Sequence, residues 1–316
     1  MIKEDKKLVT KIRELKKKRK AIILAHNYQL PEVQDIADFR GDSLELSRIA
    51  AKTEAEVIVF CGVYFMAETA SILSPDKLVI MPDVSAGCPM ADMMNADDLR
   101  KLKQEHPGVV AVGYVNTSAA VKAELDYCCT STNAVAVVNA ITKQSAIGGS
   151  AFGGEKEIIF VPDKYLADYV SKKSGRKLIS WHGFCPTHVK ILPEDLIREK
   201  KFHPQAKVMV HPECLASVVA LADVVLSTSQ MAKYAKEDSA KEFIIGTESG
   251  LIYRLKQDNP DKEFYLASER AVCPNMKRTT QEKVLWALEE LKDEVKVSEE
   301  ISKKARLAIE RMLAII

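Results

Sequence analysis

Residues 21–43, AIILAHNYQLPEVQDIADFRGDS, contain the pattern from which the fold can be deduced. An apolar run leads to a polar turn, a helical stretch and then an aspartate. The same layout returns at residues 110–131, VAVGYVNTSAAVKAELDYCCTS, and at residues 207–229, KVMVHPECLASVVALADVVLSTS. Each opening run is short, apolar and rich in β-branched residues, which is typical of a buried parallel strand. A layout that occurs three times predicts three similar folding units.

The polar residues of the three repeats occupy matching positions. An aromatic ring ends each first strand, 12 positions before the aspartate (38−26, 126−114 and 223−211), and a hydroxyl follows the aspartate by five positions. The rings are His26, Tyr114 and His211, the aspartates are Asp38, Asp126 and Asp223, and the hydroxyls are Ser43, Ser131 and Thr228. Helix capping accounts for hydroxyls at these places. It does not account for the rings, which are therefore candidate functional residues.

The second half of each repeat ends in a Cys-Pro dipeptide. The stretches that begin at Val57, Ile158 and Phe243 each read as strand, helix, strand and then Cys-Pro. The ring-to-cysteine distance is 62 positions in the first and third units (88−26 and 273−211) and 71 in the second (185−114). A Gly-rich insertion, SAIGGSAFGGEK from Ser145, explains the excess and is predicted to be a peripheral surface loop. Three cysteines therefore occupy one repeated position: Cys88, Cys185 and Cys273.

Alternating strands and helices predict an α/β fold with three homologous three-layer α/β/α domains, each containing a short parallel sheet. In such sheets ligands bind beyond the carboxyl ends of the strands, where the three rings lie. A pseudo-threefold arrangement of the units would bring the rings, hydroxyls and Cys-Pro corners to one central active site. The predicted domains are an N-terminal helix (1–20), three α/β repeats (21–107, 108–204 with the insertion near 145–156, and 205–280) and C-terminal helices (281–316).

Composition argues against nucleic-acid and membrane partners. The net charge of +2 lacks the basic excess of a nucleic-acid-binding protein. Ten Lys or Arg and three acids occur in the first twenty residues, but Leu8, Ile12 and Leu15 recur there at helical spacing. This pattern favours an amphipathic helix with a solvated basic face. Without an apolar run of membrane-spanning length or a signal-peptide pattern, the predicted location is cytoplasmic.

The cysteines point to a metal centre rather than to disulfides, because their number is odd, at seven, and their spacing is wide. A structural zinc site normally takes four ligands, often in local pairs, whereas the Cys-Pro cysteines lie 97 and 88 positions apart (185−88 and 273−185). Three thiolates can hold a [4Fe–4S] cluster and leave one iron open as a Lewis acid. The remaining cysteines are predicted to lie in or near the core: Cys61, Cys128, Cys129 and Cys214.

The motifs AHNYQ, GDS, YVNTS, CCTSTNAV, WHGFCPTH, HPE, STSQM and VCPNMK occur in this order. From about Ile22 to Leu291 the chain thereby resembles the quinolinate synthase family (quinolinate synthetase A). The resemblance implies three α/β domains around a pseudo-threefold axis and one [4Fe–4S] cluster per chain on three cysteines. It also implies condensation of iminoaspartate with dihydroxyacetone phosphate to quinolinate, phosphate and water, a step of NAD biosynthesis. A functional link to the enzyme that produces iminoaspartate is implied as well.

Carried over motif by motif, the resemblance implies the cluster ligands Cys88, Cys185 and Cys273. It implies eight substrate contacts, of which the repeats select all but two independently: His26, Ser43, Tyr114, Asn116, Ser131, His211, Glu213 and Thr228. Glu213 is the predicted general base, with Tyr28 and His26 as proton-shuttling partners. The hydroxyls at predicted helix N-termini are expected to hold carboxylates and phosphate. His188 remains open between catalysis and support of the cluster.

Two departures from the family pattern and two alternative functions remain. Some members carry a Cys-x-x-Cys-x-x-Cys run near the third ligand, whereas VCPNMKRT offers only Cys273, and the insertion from Ser145 looks longer than in compact members. The alternatives are an open-iron hydro-lyase acting on another carboxylic acid and a non-catalytic iron–sulfur redox protein. An electron carrier would usually supply four thiolates and needs no substrate-binding side chains. Only a product assay separates the hydro-lyase from a quinolinate synthase.

Overall fold

A computed structural model describes residues 6–147 and 156–315 of the chain, which form an α/β fold with three four-stranded parallel sheets. Counted within each unit, the strand order is 2-1-3-4 in all three sheets. The predicted α/β class with three short parallel sheets is confirmed. Most of the Gly-rich insertion lies outside the described residues, so its peripheral position stays a prediction. Among the helices that the structure describes, none is both long and apolar enough to cross a lipid bilayer.

The first unit follows the amphipathic helix α1 (Lys6–Lys18), whose Val9 and Ile12 are buried. Its two central strands are buried along almost their whole length, as expected for a parallel sheet covered by helices. Its elements are β1 (Ala21–His26), α2 (Pro31–Ile36), β2 (Phe39–Gly41), α3 (Ser43–Lys52), β3 (Val57–Cys61), α4 (Tyr64–Leu73), β4 (Leu78–Ile80) and α5 (Ala96–Glu105).

The second and third units repeat this order of elements. The second contains β5 (Val110–Tyr114), α6 (Ala119–Lys122), β6 (Tyr127–Cys129), α7 (Ala134–Ile147), β7 (Ile158–Val161), α8 (Lys164–Ser174), β8 (Ile179–Ser180) and α9 (Pro193–Phe202). The third contains β9 (Lys207–Val210), α10 (Ala216–Val219), β10 (Val224–Val225), α11 (Thr228–Glu237), β11 (Glu242–Gly246), α12 (Leu251–Asp258) and β12 (Glu263–Leu266). The chain continues with α13 (Gln281–Glu290) and α14 (Glu299–Ala314).

The repeated aspartates are structural. In every unit the aspartate carboxylate accepts a hydrogen bond from a backbone amide of the first strand, at 2.7–2.8 Å. The backbone amide of the aspartate returns a hydrogen bond to the carbonyl of the same strand residue, at 2.9–3.0 Å. The pairs are Asp38 with Ile23, Asp126 with Ala111 and Asp223 with Val208. This two-way contact starts the short edge strand that follows each aspartate, which the sequence pattern did not reveal.

Two C-terminal helices close the molecule: the first packs on the first unit, and the second packs on both the first and the second units. Helix α13 packs against α1 and β3, whereas α14 packs against α4, α6 and β6. The end of α14 is held by Asn133, whose Nδ2 donates to the carbonyls of Met312 and Ile315 at 3.1 and 3.2 Å. The Oδ1 of the same side chain accepts the amide of Thr130 at 2.9 Å. The turn that carries Ser131 is therefore fixed partly by the C-terminal helix.

Candidate active site

One cavity of about 180 Å³ receives side chains from all three units. It lies where the carboxyl ends of β1, β5 and β9 meet, as the topology of parallel sheets predicts. The cavity is lined by every residue that the sequence singled out for function: His26, Tyr28, Ser43, Cys88, Tyr114, Asn116, Ser131, Cys185, His188, His211, Glu213, Thr228 and Cys273. Sequence positions separated by up to 247 residues (273−26) thus come together in one place.

The three Cys-Pro corners are attached to the sheets by the same hydrogen bond. In each unit a backbone amide just beyond the third strand donates to the carbonyl two positions before the cysteine, at 2.8–2.9 Å. The pairs are Tyr64 with Ala86, Lys164 with Gly183 and Ser249 with Ala271. The corners are therefore equivalent in three dimensions as well as in sequence, and each presents its thiol to the shared cavity.

The electrostatics of these thiols suit a bound cationic centre. Burial raises the pKa of all three thiols, to about 12 at Cys88, and mutual repulsion between thiolates raises those of Cys88 and Cys185 further. In each corner the backbone amides two and three positions after the cysteine lower the pKa of its thiol. Three half-buried thiolates that face one cavity need positive charge to be stable, and a metal deprotonates the thiols that coordinate it. The donor set thus fits a bound metal centre.

The other four cysteines are buried core residues, as predicted. Cys61 ends the central strand β3, and Cys128 and Cys129 lie on β6. Cys214 is 1% exposed, and its thiol donates to the carbonyl of Gly246 at 3.4 Å. None of the four lines the cavity.

Glu213 lies at the centre of the polar side of the cavity. Its Oε2 is 2.9 Å from His188 Nδ1, and its Oε1 accepts a hydrogen bond from the hydroxyl of Tyr114. Burial would raise the pKa of Glu213, but His188, His211 and the hydrogen bonds from His188 and Tyr114 hold it well below its usual value. Glu213 is consequently a carboxylate at neutral pH, although only 3% of the residue is exposed.

His26 and His211 are neutral rings with matching hydrogen bonds. The backbone amide two residues on donates to Nδ1 in both, from Tyr28 at 3.2 Å and from Glu213 at 3.3 Å. Since Nδ1 accepts, the proton of the neutral ring lies on Nε2, and His211 Nε2 is 3.1 Å from the hydroxyl of Ser131. Burial lowers the pKa of each ring to about 3. Both therefore act as hydrogen-bond donors to the cavity.

The stability of the metal-free protein should fall as the pH is lowered from about 7 to 4. The folded rings of His26 and His211 have pKa values of about 3 against an ordinary value of 6.5. Between these values the unfolded chain binds more protons, so unfolding is favoured as the pH falls. Melting temperatures measured across this range should decline less steeply in the His26→Asn/His211→Asn double variant. Equal slopes for the two proteins would contradict the assignment of neutral rings.

A buried threonine that the sequence analysis overlooked connects Tyr28 with His188. The hydroxyl of Thr247 is 2.6 Å from the hydroxyl of Tyr28 and 2.9 Å from His188 Nε2. The other ring nitrogen of His188, Nδ1, lies 3.1 Å from Cys185 Sγ. A continuous polar chain thus runs from Tyr28 in the first unit through Thr247 to the Cys185 corner.

Two of the repeated hydroxyls, Ser43 and Thr228, line the cavity and do not cap their helices. The capping side chains of α3 and α11 are Asp42 and Ser227, one position earlier than Ser43 and Thr228. Thr228 Oγ1 is left to accept from Asn27 Nδ2 at 2.9 Å. The capping role that the sequence suggested for these hydroxyls is therefore wrong, and their availability for a ligand is greater than expected.

Several other residues of the site were also missed from the sequence. Asp42 and Glu248 line the cavity with Thr130 and Lys190. Thr247 and Glu248 follow β11 directly, at the carboxyl end of the second central strand of the third sheet. Their position could have identified them, because residues at the carboxyl ends of parallel strands commonly contact ligands.

The fold and the cavity define an enzyme built from three α/β units around one site of thiols, rings and a buried carboxylate. The quinolinate synthetase A protein family matches residues 10–314. A quinolinate synthase of Dehalococcoides mccartyi strain CBDB1 is 56% identical over 306 residues, 97% of each chain. Those of Thermodesulfovibrio yellowstonii and Methanosarcina barkeri are 55% and 51% identical, over 98% and 99% of each chain. The chain belongs to the quinolinate synthase family.

Proposed function

We propose that this enzyme condenses iminoaspartate with dihydroxyacetone phosphate to give quinolinate, phosphate and water, in NAD biosynthesis. The observation that carries the proposal is the convergence of three equivalent thiols and a buried carboxylate in one cavity. The chain matches its relatives over nearly their full length. These relatives are named quinolinate synthases, and their names support the same reaction.

Cys88, Cys185 and Cys273 would hold a [4Fe–4S] cluster, one per chain. With three protein ligands, such a cluster keeps one iron open, which supplies Lewis acidity toward substrate oxygens or nitrogen. His188 lies between this centre and the carboxylate, since its Nδ1 faces both Cys185 Sγ and Glu213 Oε2. One ligand atom each from Cys185, His188 and Glu213 lie within 4.8 Å of one another, so this wall of the cavity can by itself hold a metal ion.

The anionic groups of the substrates would bind among the hydroxyls at the N-termini of α3, α7 and α11. Helix N-termini favour anions because their backbone amides and the helix dipole point toward the ligand. Ser43, Ser131 and Thr228 add hydroxyls there, and the Nε2 hydrogen of His211 already points toward Ser131. Asn116 Oδ1 is buried and has no hydrogen-bond partner in the part of the chain that the structure describes. A substrate hydroxyl or amine would satisfy that acceptor.

Proton transfer would be handled by Glu213 and its neighbours. Glu213 is deprotonated and can accept a proton, which makes it our candidate for the general base. Burial and the nearby Glu213 raise the pKa of Tyr28, so its phenol keeps its proton and can donate it. The low pKa of His26 suits a neutral hydrogen-bond donor better than a proton carrier. Thr247 completes the connection from the hydroxyl of Tyr28 to His188.

A product assay tests the reaction directly. We expect the anaerobically reconstituted enzyme to form quinolinate, detected by mass spectrometry, only when iminoaspartate and dihydroxyacetone phosphate are both present. Isotope labels from each substrate should appear in the product. A cluster-loaded protein that forms no quinolinate, but hydrates or dehydrates another carboxylic acid, would contradict the proposal in favour of a hydro-lyase. The ring of substrate-facing side chains argues against a simple electron carrier.

A further inference from the structure

We propose that Glu248 and Lys277 form a positioning pair that holds the Cys273 corner and the Tyr28 segment in register. The pair would connect the third cluster ligand to a residue of the proton-transfer network. This inference rests on the proposed function for its consequence, but the contacts themselves belong to the chain alone.

Glu248 is a completely buried carboxylate whose two oxygens are used by its own unit. Oε1 accepts the backbone amide of Cys273 at 3.1 Å, and Oε2 accepts the backbone amide of Gly250 at 2.7 Å. The ammonium group of Lys277 lies 2.9 Å from Oε1. The carboxylate thereby fixes the main chain of the cluster-ligating residue itself, 25 positions away in sequence.

Lys277 extends the contact into the first unit. Its Nζ donates to the backbone carbonyl of Tyr28 at 2.5 Å, while it also pairs with Glu248. The hydroxyl of Tyr28 is held at the opposite end of the residue by Thr247. Thr247 and Glu248 are consecutive, so the turn after β11 controls both the main chain and the phenol of Tyr28.

Gly250 packs directly against the pair. A Cβ atom on Gly250 would lie 2.7 Å from Lys277 Nζ, 2.8 Å from the Tyr28 carbonyl and 2.9 Å from Glu248 Oε2. Gln34 Nε2 donates to the carbonyl of Gly250 at 3.1 Å, so the first unit contacts this glycine as well. Glycine is required at position 250 because three polar groups meet where a side chain would begin.

The equivalent positions of the other units show that the first corner lacks this support. In the second unit the backbone amide of Cys185 lowers the pKa of Asp163, a contact like that of the Cys273 amide with Glu248, but the paired lysine is described only for the third. The residue before each repeated amide donor is Val63 in the first unit, Asp163 in the second and Glu248 in the third. Asp163 is buried and caps α8, accepting from the amides of Tyr165 and Leu166 at 2.8 and 2.7 Å. Val63 has no carboxylate to offer. The Cys88 corner therefore lacks the proposed positioning pair and is an internal control.

Cysteine alkylation tests the Cys273 side of the pair without any cluster. In the reduced, metal-free protein, Glu248→Gln should increase the rate at which iodoacetamide modifies Cys273 by about tenfold, because the corner loses a charge-assisted hydrogen bond. The rate at Cys88, measured by mass spectrometry in the same sample, should not change. Lys277→Met should also increase the rate at Cys273. If Glu248→Gln does not fold, Lys277→Met takes its place in the test. Unchanged Cys273 rates in both variants would overturn the inference.

Hydrogen exchange tests the Tyr28 side. Peptides that cover residues 26–34 should exchange faster in Lys277→Met than in the wild type. Removing one partner leaves a buried charge unpaired, so the Glu248→Gln/Lys277→Met double variant should exchange less rapidly than Lys277→Met. Lys241→Met removes the exposed pair with Asp261 in the same unit and is the matched control. A double variant whose effect equals the sum of the two single effects would show that the residues do not act as a pair.

The loaded enzyme separates this inference from the proposed function. Under anaerobic conditions an iron chelator should remove the cluster several-fold faster from Glu248→Gln than from the wild type or Lys241→Met. A wild-type protein that takes up no cluster would refute the proposed function and leave the alkylation result standing. A cluster lost at the same rate from every variant would refute the positioning role while the proposed function survives.

Discussion

Replacing Cys185 by alanine is expected to abolish cluster binding while leaving the chain folded. Wild-type protein should take up about four irons per chain on anaerobic reconstitution, and the variant should retain almost none. Cys185 is a suitable test because its thiol faces the cavity next to His188 and its backbone corner is held by Lys164. Two remaining thiolates cannot replace it, since each corner supplies a single sulfur. Iron content and visible absorbance measure the outcome, and Cys88→Ala and Cys273→Ala should behave alike.

Cys61→Ala is the matched control for these variants. Cys61 is completely buried on β3 and does not line the cavity, so its loss should lower stability slightly without removing iron. A small buried truncation of this kind commonly costs on the order of 1 kcal/mol. An intact cluster in Cys185→Ala, or its loss in Cys61→Ala, would refute the ligand assignment.

Glu213→Gln should retain the cluster and lose nearly all turnover. The substitution keeps the size of the side chain but removes the carboxylate that accepts from Tyr114 and faces His188. Loss of a general base commonly lowers the rate by about 10²–10⁴-fold, and kcat measured on protein of equal iron content should fall in this range. KM should change less, because Ser43, Ser131 and Thr228 remain to hold the anionic groups.

The control for this variant is Glu237→Gln, a carboxylate on α11 that is largely exposed and pairs only loosely with Lys233 at 3.9 Å. Its kcat should equal that of the wild type. Wild-type turnover in Glu213→Gln would exclude Glu213 as the base. A loss of iron in Glu213→Gln would instead assign the residue to support of the cluster, together with its neighbour His188.

The sequence was sufficient to predict the three units and the central strands, since those strands are continuous apolar runs and the first strand of each unit leads to a polar ring. It did not predict the short edge strands β2, β6 and β10. The last of these contains only Val224 and Val225, too short for any periodic signal. What creates them is the two-way hydrogen bond between Asp223 or its equivalents and the first strand, which depends on the folded backbone.

The candidate site was predicted to a large extent, because its residues recur at constant offsets. Thr247 and Glu248 were missed because their residue types do not recur in the other units. The places that correspond to Thr247 and Glu248 hold Gly62 and Val63 in the first unit and Pro162 and Asp163 in the second, so no repeated residue type marks them. Their roles depend on partners in other parts of the chain, such as Tyr28, that only the packed units bring within reach.

The distribution of the three thiols over three units sets an order of events during protein synthesis. A growing chain presents Cys88 first and then Cys185, but Cys273 emerges only with the end of the third unit. Domains generally fold as they leave the ribosome, N-terminal unit first. Until the third unit docks, neither the complete sulfur set nor the closed cavity exists. Delivery of iron and sulfide to the proposed cluster site must therefore wait until the third unit has been synthesised and has docked.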